Sequence, residues 1–242
     1  MMEIIQKIKT KQEDLQANPA VTIAFLGDSV TQGCFEDIKT APDALGTVFE
    51  PKYAYSTHLQ ELLHFLYPSV QINIINSGIS GDRSVLGAER VERDILRYQP
   101  DLVVVSYGLN DAPKGMEKLP EYKEALAKIF RQVRDAGIEC IFLTENMVNT
   151  YTDCNMTDTL LIQTAEFLAP FENDGVLAAY FEAAKDVAAQ HGVKVCDCYA
   201  KWRALAAAGV DTTRLLANKL NHPVREMTWL FAYSLLETMF AN

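Results

Sequence analysis

No apolar stretch of the 242-residue chain approaches the roughly 18 residues that a membrane-spanning helix requires, so no membrane partner is expected. Runs of lysine and arginine are also missing. The chain has 22 basic against 32 acidic residues and a formal net charge of -10, an excess that repels polyanions and argues against a nucleic-acid partner. The N-terminal residues Met1–Lys7 lack the continuous apolar core and small-residue cleavage site of a secretory leader. Cysteine is sparse: Cys34, Cys140, Cys154, Cys196 and Cys198 form an odd, scattered set. Cys196-Asp197-Cys198 does not have metal-knuckle spacing, and no second Cys/His pair completes a zinc site, so no metal is expected. Cys140 and Cys196 fall in apolar runs, where a free cysteine acts as a small hydrophobe. The expected location is therefore a reducing cytoplasm. No Gly-x-Gly-x-x-Gly follows the first apolar run, which argues against a nucleotide-binding flavodoxin type.

What is present is an alternation of two patterns. Five short runs are almost continuously apolar: Val21–Leu26, Gln71–Asn76, Asp101–Ser106, Glu139–Thr144 and Lys194–Asp197. Strands covered on both faces read this way, as in a parallel sheet. Helical patterns fall between or after them, at about Ala54–Leu66, Ser84–Tyr98, Pro120–Ala136, Asn173–His191 and Val224–Phe240. In the second of these, Val85, Ala88, Val91, Ile95 and Leu96 make one apolar stripe. The alternation predicts a three-layer α/β/α sandwich with a five-stranded parallel sheet and a flavodoxin-like arrangement. No repeat or linker interrupts residues 1–242, so one domain is expected, with an N-terminal helix over about residues 2–17 packed on it. Cys34–Lys52 and Met147–Asp158 read as long loops.

In such a sheet ligands bind beyond the carboxyl ends of the strands, so the residues after each run are the candidates for chemistry. The first run leads into Gly27-Asp28-Ser29-Val30-Thr31-Gln32-Gly33, whose glycines allow a tight turn that exposes Ser29. An Asp/Ser helix cap would look the same. The second leads into Asn76-Ser77-Gly78-Ile79-Ser80-Gly81, small enough for a backbone N–H to approach a ligand, or simply a glycine-rich turn. The third leads into Gly108-Leu109-Asn110-Asp111. Asn110 offers an amide donor of the kind an oxyanion hole uses, though an Asx turn would also place it there. The fourth leads into Thr144-Glu145-Asn146, to which no role is assigned. Of the four histidines, His58 and His64 lie within a helical pattern and His191 at a helix end. Only His222, before Pro223, sits in a loop suited to general-base work.

Ser29, Gly78, Asn110 and His222 occur in that order, and together they resemble the SGNH/GDSL hydrolase family, named for those residues. Gly27-Asp28-Ser29 with Gly33, Gly78, Gly108-Leu109-Asn110-Asp111 and His222-Pro223 carry the resemblance, which spans Ala24 to Pro223. It implies a serine esterase or acylhydrolase in which Ser29 is the nucleophile and His222 its base. Backbone N–H groups of Ser29 and Gly78, with the Asn110 amide, would form the oxyanion hole, and no cofactor would be needed. One position departs from the family pattern. The aspartate expected three residues before the histidine is Lys219, which cannot accept the imidazole N–H. A Ser29–His222 pair is therefore expected, with the ring oriented by a backbone carbonyl, the Asn218 amide oxygen, or a carboxylate such as Asp197 or Asp211. Asp28 is expected to shape its loop.

The expected substrate is a small-molecule ester, an acetyl group on a carbohydrate. Tyr53, Tyr55, Asn146, Asn149, Tyr151 and Asn155 are the candidate sugar-contacting residues. The alternatives are a lysophospholipase or thioesterase, or a ligand-binding module with degraded catalysis, which Lys219 alone favours.

Overall fold

The computed structural model describes residues 1–41 and 44–241. In chain order the elements are α1 (Glu3–Glu13), β1 (Val21–Gly27), α2 (Ser29–Gln32), β2 (Cys34–Ala41), β3 (Ala44–Phe49), α3 (Tyr55–Leu66), β4 (Ile72–Gly78) and α4 (Ser84–Asp94). There follow β5 (Leu102–Ser106), α5 (Leu119–Asp135), β6 (Glu139–Thr144), α6 (Thr159–Asn173), α7 (Val176–Gln190), β7 (Lys194–Asp197), α8 (Cys198–Ala207) and α9 (Thr228–Phe240).

The five expected strands form one parallel sheet in the order β4-β1-β5-β6-β7. Every residue of β5 is buried, because the sheet is covered on both sides. Helices α4, α5 and α7 pack as a layer on one face, and α1, α3 and α9 form the layer on the other. Helix α5 shows why its sequence folds this way. Pro120 lies in its first turn, and Tyr122, Ala125, Leu126, Ile129, Phe130 and Val133 recur at helical spacing and are all buried. The direction of winding reverses at β1, whose neighbours β4 and β5 lie on opposite sides. A crevice opens at such a switch point beyond the strand ends. No helix among the described residues is long and apolar enough to cross a membrane.

Three segments differ from the sequence expectation. Residues expected as a loop over Cys34–Lys52 instead contain the antiparallel hairpin β2–β3, with Cys34 opposite Phe49 and Asp37 opposite Thr47. Pro42 and Asp43, within that segment, lie outside the described residues. The hairpin builds no core of its own. It is tied down from a distance by Arg225, which donates to both Glu36 oxygens (2.6 and 2.8 Å) and to Glu50 (2.5 Å), with its guanidinium 4.5 Å from the Phe35 ring centroid. Helices α6 and α8 were not expected either; α6 carries Pro170 within its last turn, a residue that argues against a helix when read locally.

Candidate active site

The sheet brings the candidate loops together by register. Gly27 at the end of β1 is opposite Gly78 of β4 on one side and Ser106 of β5 on the other, so the segments after all three strands emerge at one edge. Ser29 is the first residue of α2. Asp28 caps that turn by accepting the Val30 N–H at 3.0 Å. Residues Leu220–Pro223, ahead of α9, bring His222 to the same edge, and its Nε2 lies 3.0 Å from Ser29 Oγ.

The other face of the imidazole is equally fixed. Nδ1 lies 2.9 Å from the carbonyl oxygen of Phe35 in β2. A carbonyl only accepts, so Nδ1 carries the proton and Nε2 is left as acceptor for the Ser29 hydroxyl. Asn218 Oδ1 accepts three backbone N–H groups, from Leu220, Asn221 and His222, each at 3.0 Å. Those three bonds settle the orientation of its amide. Its Nδ2 faces Asp37 Oδ2 and Asn221 Oδ1, both at 2.9 Å, and packs 3.1 Å from His222 Nδ1. Of the ring-orienting groups expected from the sequence, the backbone carbonyl is the one in place; the Asn218 oxygen is engaged with its own loop. Asp197 caps α8 and pairs with Lys185, while Asp211 accepts from the Tyr151 hydroxyl. Lys219 adopts a left-handed conformation (φ 59°) and donates its ammonium to the Arg214 carbonyl at 3.0 Å. Burial holds the His222 imidazole below its ordinary value, against the opposing pull of Asp37, the Phe35 carbonyl and Glu36.

Asn110 reaches the site from the loop after β5. Its Nδ2 donates to Asp28 Oδ2 at 2.9 Å and to the Asp82 carbonyl at 3.0 Å. Gly78, by contrast, does not line the cleft. It is still inside the sheet, its N–H donates to Asn76 Oδ1 at 3.0 Å, and a Cβ there would lie 2.3 Å from the Gln32 nitrogen. Its smallness serves the packing of α2 on β4. Gly81, three residues on, lines the cleft together with Ser29, Asn110 and His222. It has φ +77° and open space where a Cβ would be. The sequence expectation named Gly78; that Gly81, later in the same segment, is the glycine lining the cleft depends on where β4 stops pairing, which is a property of the sheet.

The cleft is a cavity of about 410 Å³. The hairpin lines it with Asp37, Leu45 and Thr47, and α6 with Thr164, Phe167 and Leu168. Phe167 is 56% exposed. The polar and aromatic residues expected to contact a sugar are elsewhere. Asn146 and Asn149 are fully buried and bond to backbone, Asn146 to the Asn221 carbonyl and Asn149 to that of Ala165. Tyr55 is buried with its hydroxyl 2.8 Å from Thr31 Oγ1, and Tyr53 packs on Phe35. Asn155 lines a separate hollow beside Lys219. His58 is stacked on Trp229 with ring centroids 3.9 Å apart, a packing role. No group of three or more His, Cys, Asp or Glu placed to hold a metal occurs among the described residues.

Four acids lie buried beneath the cleft: Asp28, Asp82, Asp111 and Glu145. Asp82 is paired with Arg90 at 2.6 Å. Asp111 accepts from the Ser84 hydroxyl (2.7 Å) and backbone, yet burial pushes its carboxyl up to about 6. Burial also raises Asp28, to about 7, and raises Glu145 well above the usual carboxylate range; Asp28 adds to the rise of Glu145, whereas the hydrogen bond from Glu145 lowers Asp28.

The chain is similar to known proteins of shared fold. An acetylxylan esterase of Geobacillus stearothermophilus is 31% identical over 102 residues, covering 42% of this chain and 44% of that protein. The match therefore spans less than half the length of that curated relative. A solved acetylxylan esterase from the same organism superposes with a TM-score of 0.66 at 20% identity, over 92% of this chain and 95% of that one. A two-domain esterase active on acetylated mannans gives 0.63 at 19% identity, over 98% of this chain and 54% of that one. At such identities the structures establish a shared fold. Residues 25–227 match the GDSL-like lipase/acylhydrolase family along most of the sequence, and the chain belongs to that family.

Proposed function

We propose that this protein is a carboxylic-ester hydrolase that removes acetyl groups from a carbohydrate through an acyl-enzyme on Ser29. The observation that carries the reading is the 3.0 Å contact between Ser29 Oγ and His222 Nε2 at the floor of an open cleft, with Nδ1 anchored on the Phe35 carbonyl. His222 takes the hydroxyl proton as Oγ attacks the ester carbonyl, then delivers it to the departing alcohol. Water activated by the same ring clears the acyl group. The oxyanion faces the backbone N–H groups of Ser29 and Gly81 and the Asn110 amide. Both Asn110 hydrogens are engaged in this state, with Asp28 Oδ2 and the Asp82 carbonyl, so a shift of the whole side chain that exchanges the Asp82 carbonyl for the oxyanion presents the donor. Each donor aimed at such an oxyanion lowers the barrier by about 3–4 kcal/mol. The names of the relatives support an acetylated polysaccharide fragment as the alcohol side, and the exposed Phe167 supplies a flat apolar face for a sugar ring. Five free cysteines suit a reducing location.

The test is a panel of p-nitrophenyl esters from acetate to decanoate together with acetylated xylo- and manno-oligosaccharides, with Ser29→Ala as blank. Preference for acetate and release of acetate from the saccharides is the expected result. Preference for long acyl chains would move the reading to a lysophospholipase or thioesterase. Failure of a fluorophosphonate to label Ser29 in folded protein would leave a ligand-binding module.

A further inference from the structure

Glu145, at the end of β6, has no part in the scheme above, yet its side chain is fully buried directly beneath it. Oε2 accepts the backbone N–H of Leu109 at 3.0 Å, one residue before Asn110. Oε1 has no hydrogen-bond donor among the described residues. The side chain that the Glu145 carboxyl faces within hydrogen-bonding reach is another carboxyl, that of Asp28, also fully buried. Asp28 uses Oδ1 to accept the Val30 N–H and Oδ2 to accept Asn110 Nδ2. The nearby buried cation, Arg90, is committed to Asp82, Asp94 and the Gly27 and Ser77 carbonyls. The other groups that face the pair are Asp111, Asp82, Tyr55 and Tyr122, and none is cationic.

Two carboxyl groups in contact, out of water and without a cation, cannot both be ionised. A proton between them turns the unpartnered Oε1 into a donor and leaves Asp28 as the acceptor that Val30 and Asn110 require. We infer that Glu145 is a neutral, protonated acid that donates to Asp28 and accepts from Leu109, and that this pair positions Asn110 towards the oxyanion. Glu145 is thus a positioning residue. It holds the Asn110 loop at two points, through the Leu109 backbone and through Asp28, while keeping a second negative charge away from the developing oxyanion. Burial raises both carboxyls, and the hydrogen bond between them lowers Asp28 while raising Glu145, the directions expected when the proton resides on Glu145.

The role in Asn110 positioning rests on the proposed esterase reading, whereas the protonation state does not, and two measurements separate them. The first compares Glu145→Gln with Glu145→Leu on p-nitrophenyl acetate. Glutamine can accept from Leu109 with its oxygen and donate to Asp28 with its nitrogen, so its kcat stays within about threefold of the parent; leucine does neither, and kcat falls roughly 10²-fold with little change in KM, as for loss of an oxyanion donor. The second is the infrared difference spectrum of parent minus Glu145→Gln at pH 8. It contains the carbonyl stretch of a protonated carboxyl, and needs no activity. A glutamine variant as impaired as the leucine variant, or the absence of that band, overturns the inference. If no ester is hydrolysed by any form while the band is present, the esterase reading fails and the shared proton stands. Should the leucine variant not fold, the glutamine kinetics and the band decide by themselves.

Discussion

His222 Nδ1 donates to the carbonyl oxygen of Phe35 at 2.9 Å, so the imidazole is oriented by a residue 187 positions earlier in the chain. The acceptor that the family usually supplies from the histidine loop comes here from strand β2. The hairpin carrying it is held against that loop by the Arg225 bonds to Glu36 and Glu50 and by the Asn218 bond to Asp37.

Lys219, at the position where an aspartate is usual, directs its ammonium away to the Arg214 carbonyl. Removing it takes nothing from the ring. Lys219→Ala therefore keeps kcat/KM on p-nitrophenyl acetate within about twofold, whereas Ser29→Ala or His222→Ala lowers it on the order of 10⁴-fold or more. Comparable losses in all three would mean that Lys219 acts on the imidazole after all.

A second expectation concerns pH. Burial keeps the His222 pKa below its ordinary 6.5, and Asp37 is the foremost group opposing that shift. In the proposed reaction the neutral ring is the base, so the acid limb of kcat/KM, which reports the free enzyme, should fall below pH 6.5. Replacing Asp37 by Asn removes a negative charge that favours the imidazolium. The limb then moves to still lower pH, and the plateau kcat drops roughly 3- to 10-fold because the ring is a weaker base in the transition state. Glu36, the other acid acting on the ring, keeps its pairing with Arg225 in the variant. A uniform loss at all pH values, with the limb unmoved, would reduce Asp37 to a hairpin anchor.

The sheet was legible in the sequence, and so were Ser29 and His222 as candidates that the fold brings within 3.0 Å of each other; the reason is physical in both cases. A strand buried on both faces has little freedom of composition, so Leu102-Val103-Val104-Val105 could hardly be anything else. Ser29 and His222 are side chains, and chemistry selects residue types. The orienting group is a main-chain carbonyl, which every residue possesses, and no pattern marks Phe35 for that task. The hairpin was hidden because Glu36, Asp37, Lys39 and Thr40 show no apolar alternation; its anchor, Arg225, lies far away in sequence. Asn146 and Asn149 misled for a related reason. A loop asparagine looks the same whether it faces a ligand or, as here, ties down the neighbouring backbone.

The cleft wall leads to a prediction about saccharide binding. Phe167 is exposed, and its ring is held edge-on to Phe171 with centroids 5.2 Å apart. A sugar ring laid on it would bury apolar surface worth about 1 kcal/mol. Phe167→Ala should therefore raise KM for an acetylated xylo-oligosaccharide about fivefold, and change kcat/KM for p-nitrophenyl acetate far less. Equal effects on both substrates would place Phe167 in the support of the site and not in its contact with the sugar.

The two glycines after β4 make opposite predictions. At Gly78 a methyl group would press on backbone atoms, 2.3 Å from the Gln32 nitrogen and 2.7 Å from its Cα, and no rotamer can relieve that. Because Gln32 belongs to α2, the clash is relaxed only by moving the turn that carries Ser29. Gly78→Ala should cost roughly 2–3 kcal/mol of stability, read as a melting temperature lower by some 2–4 °C per kcal/mol. Gly81→Ala meets no neighbour, and its left-handed backbone costs only about 1 kcal/mol. Its methyl group stands in the cleft beside the N–H assigned to the oxyanion. Gly81→Ala should thus melt close to the parent protein while kcat falls about tenfold. If it is instead fully active, the Gly81 N–H does not face the reacting carbonyl, and the oxyanion is held by Ser29 and Asn110 alone.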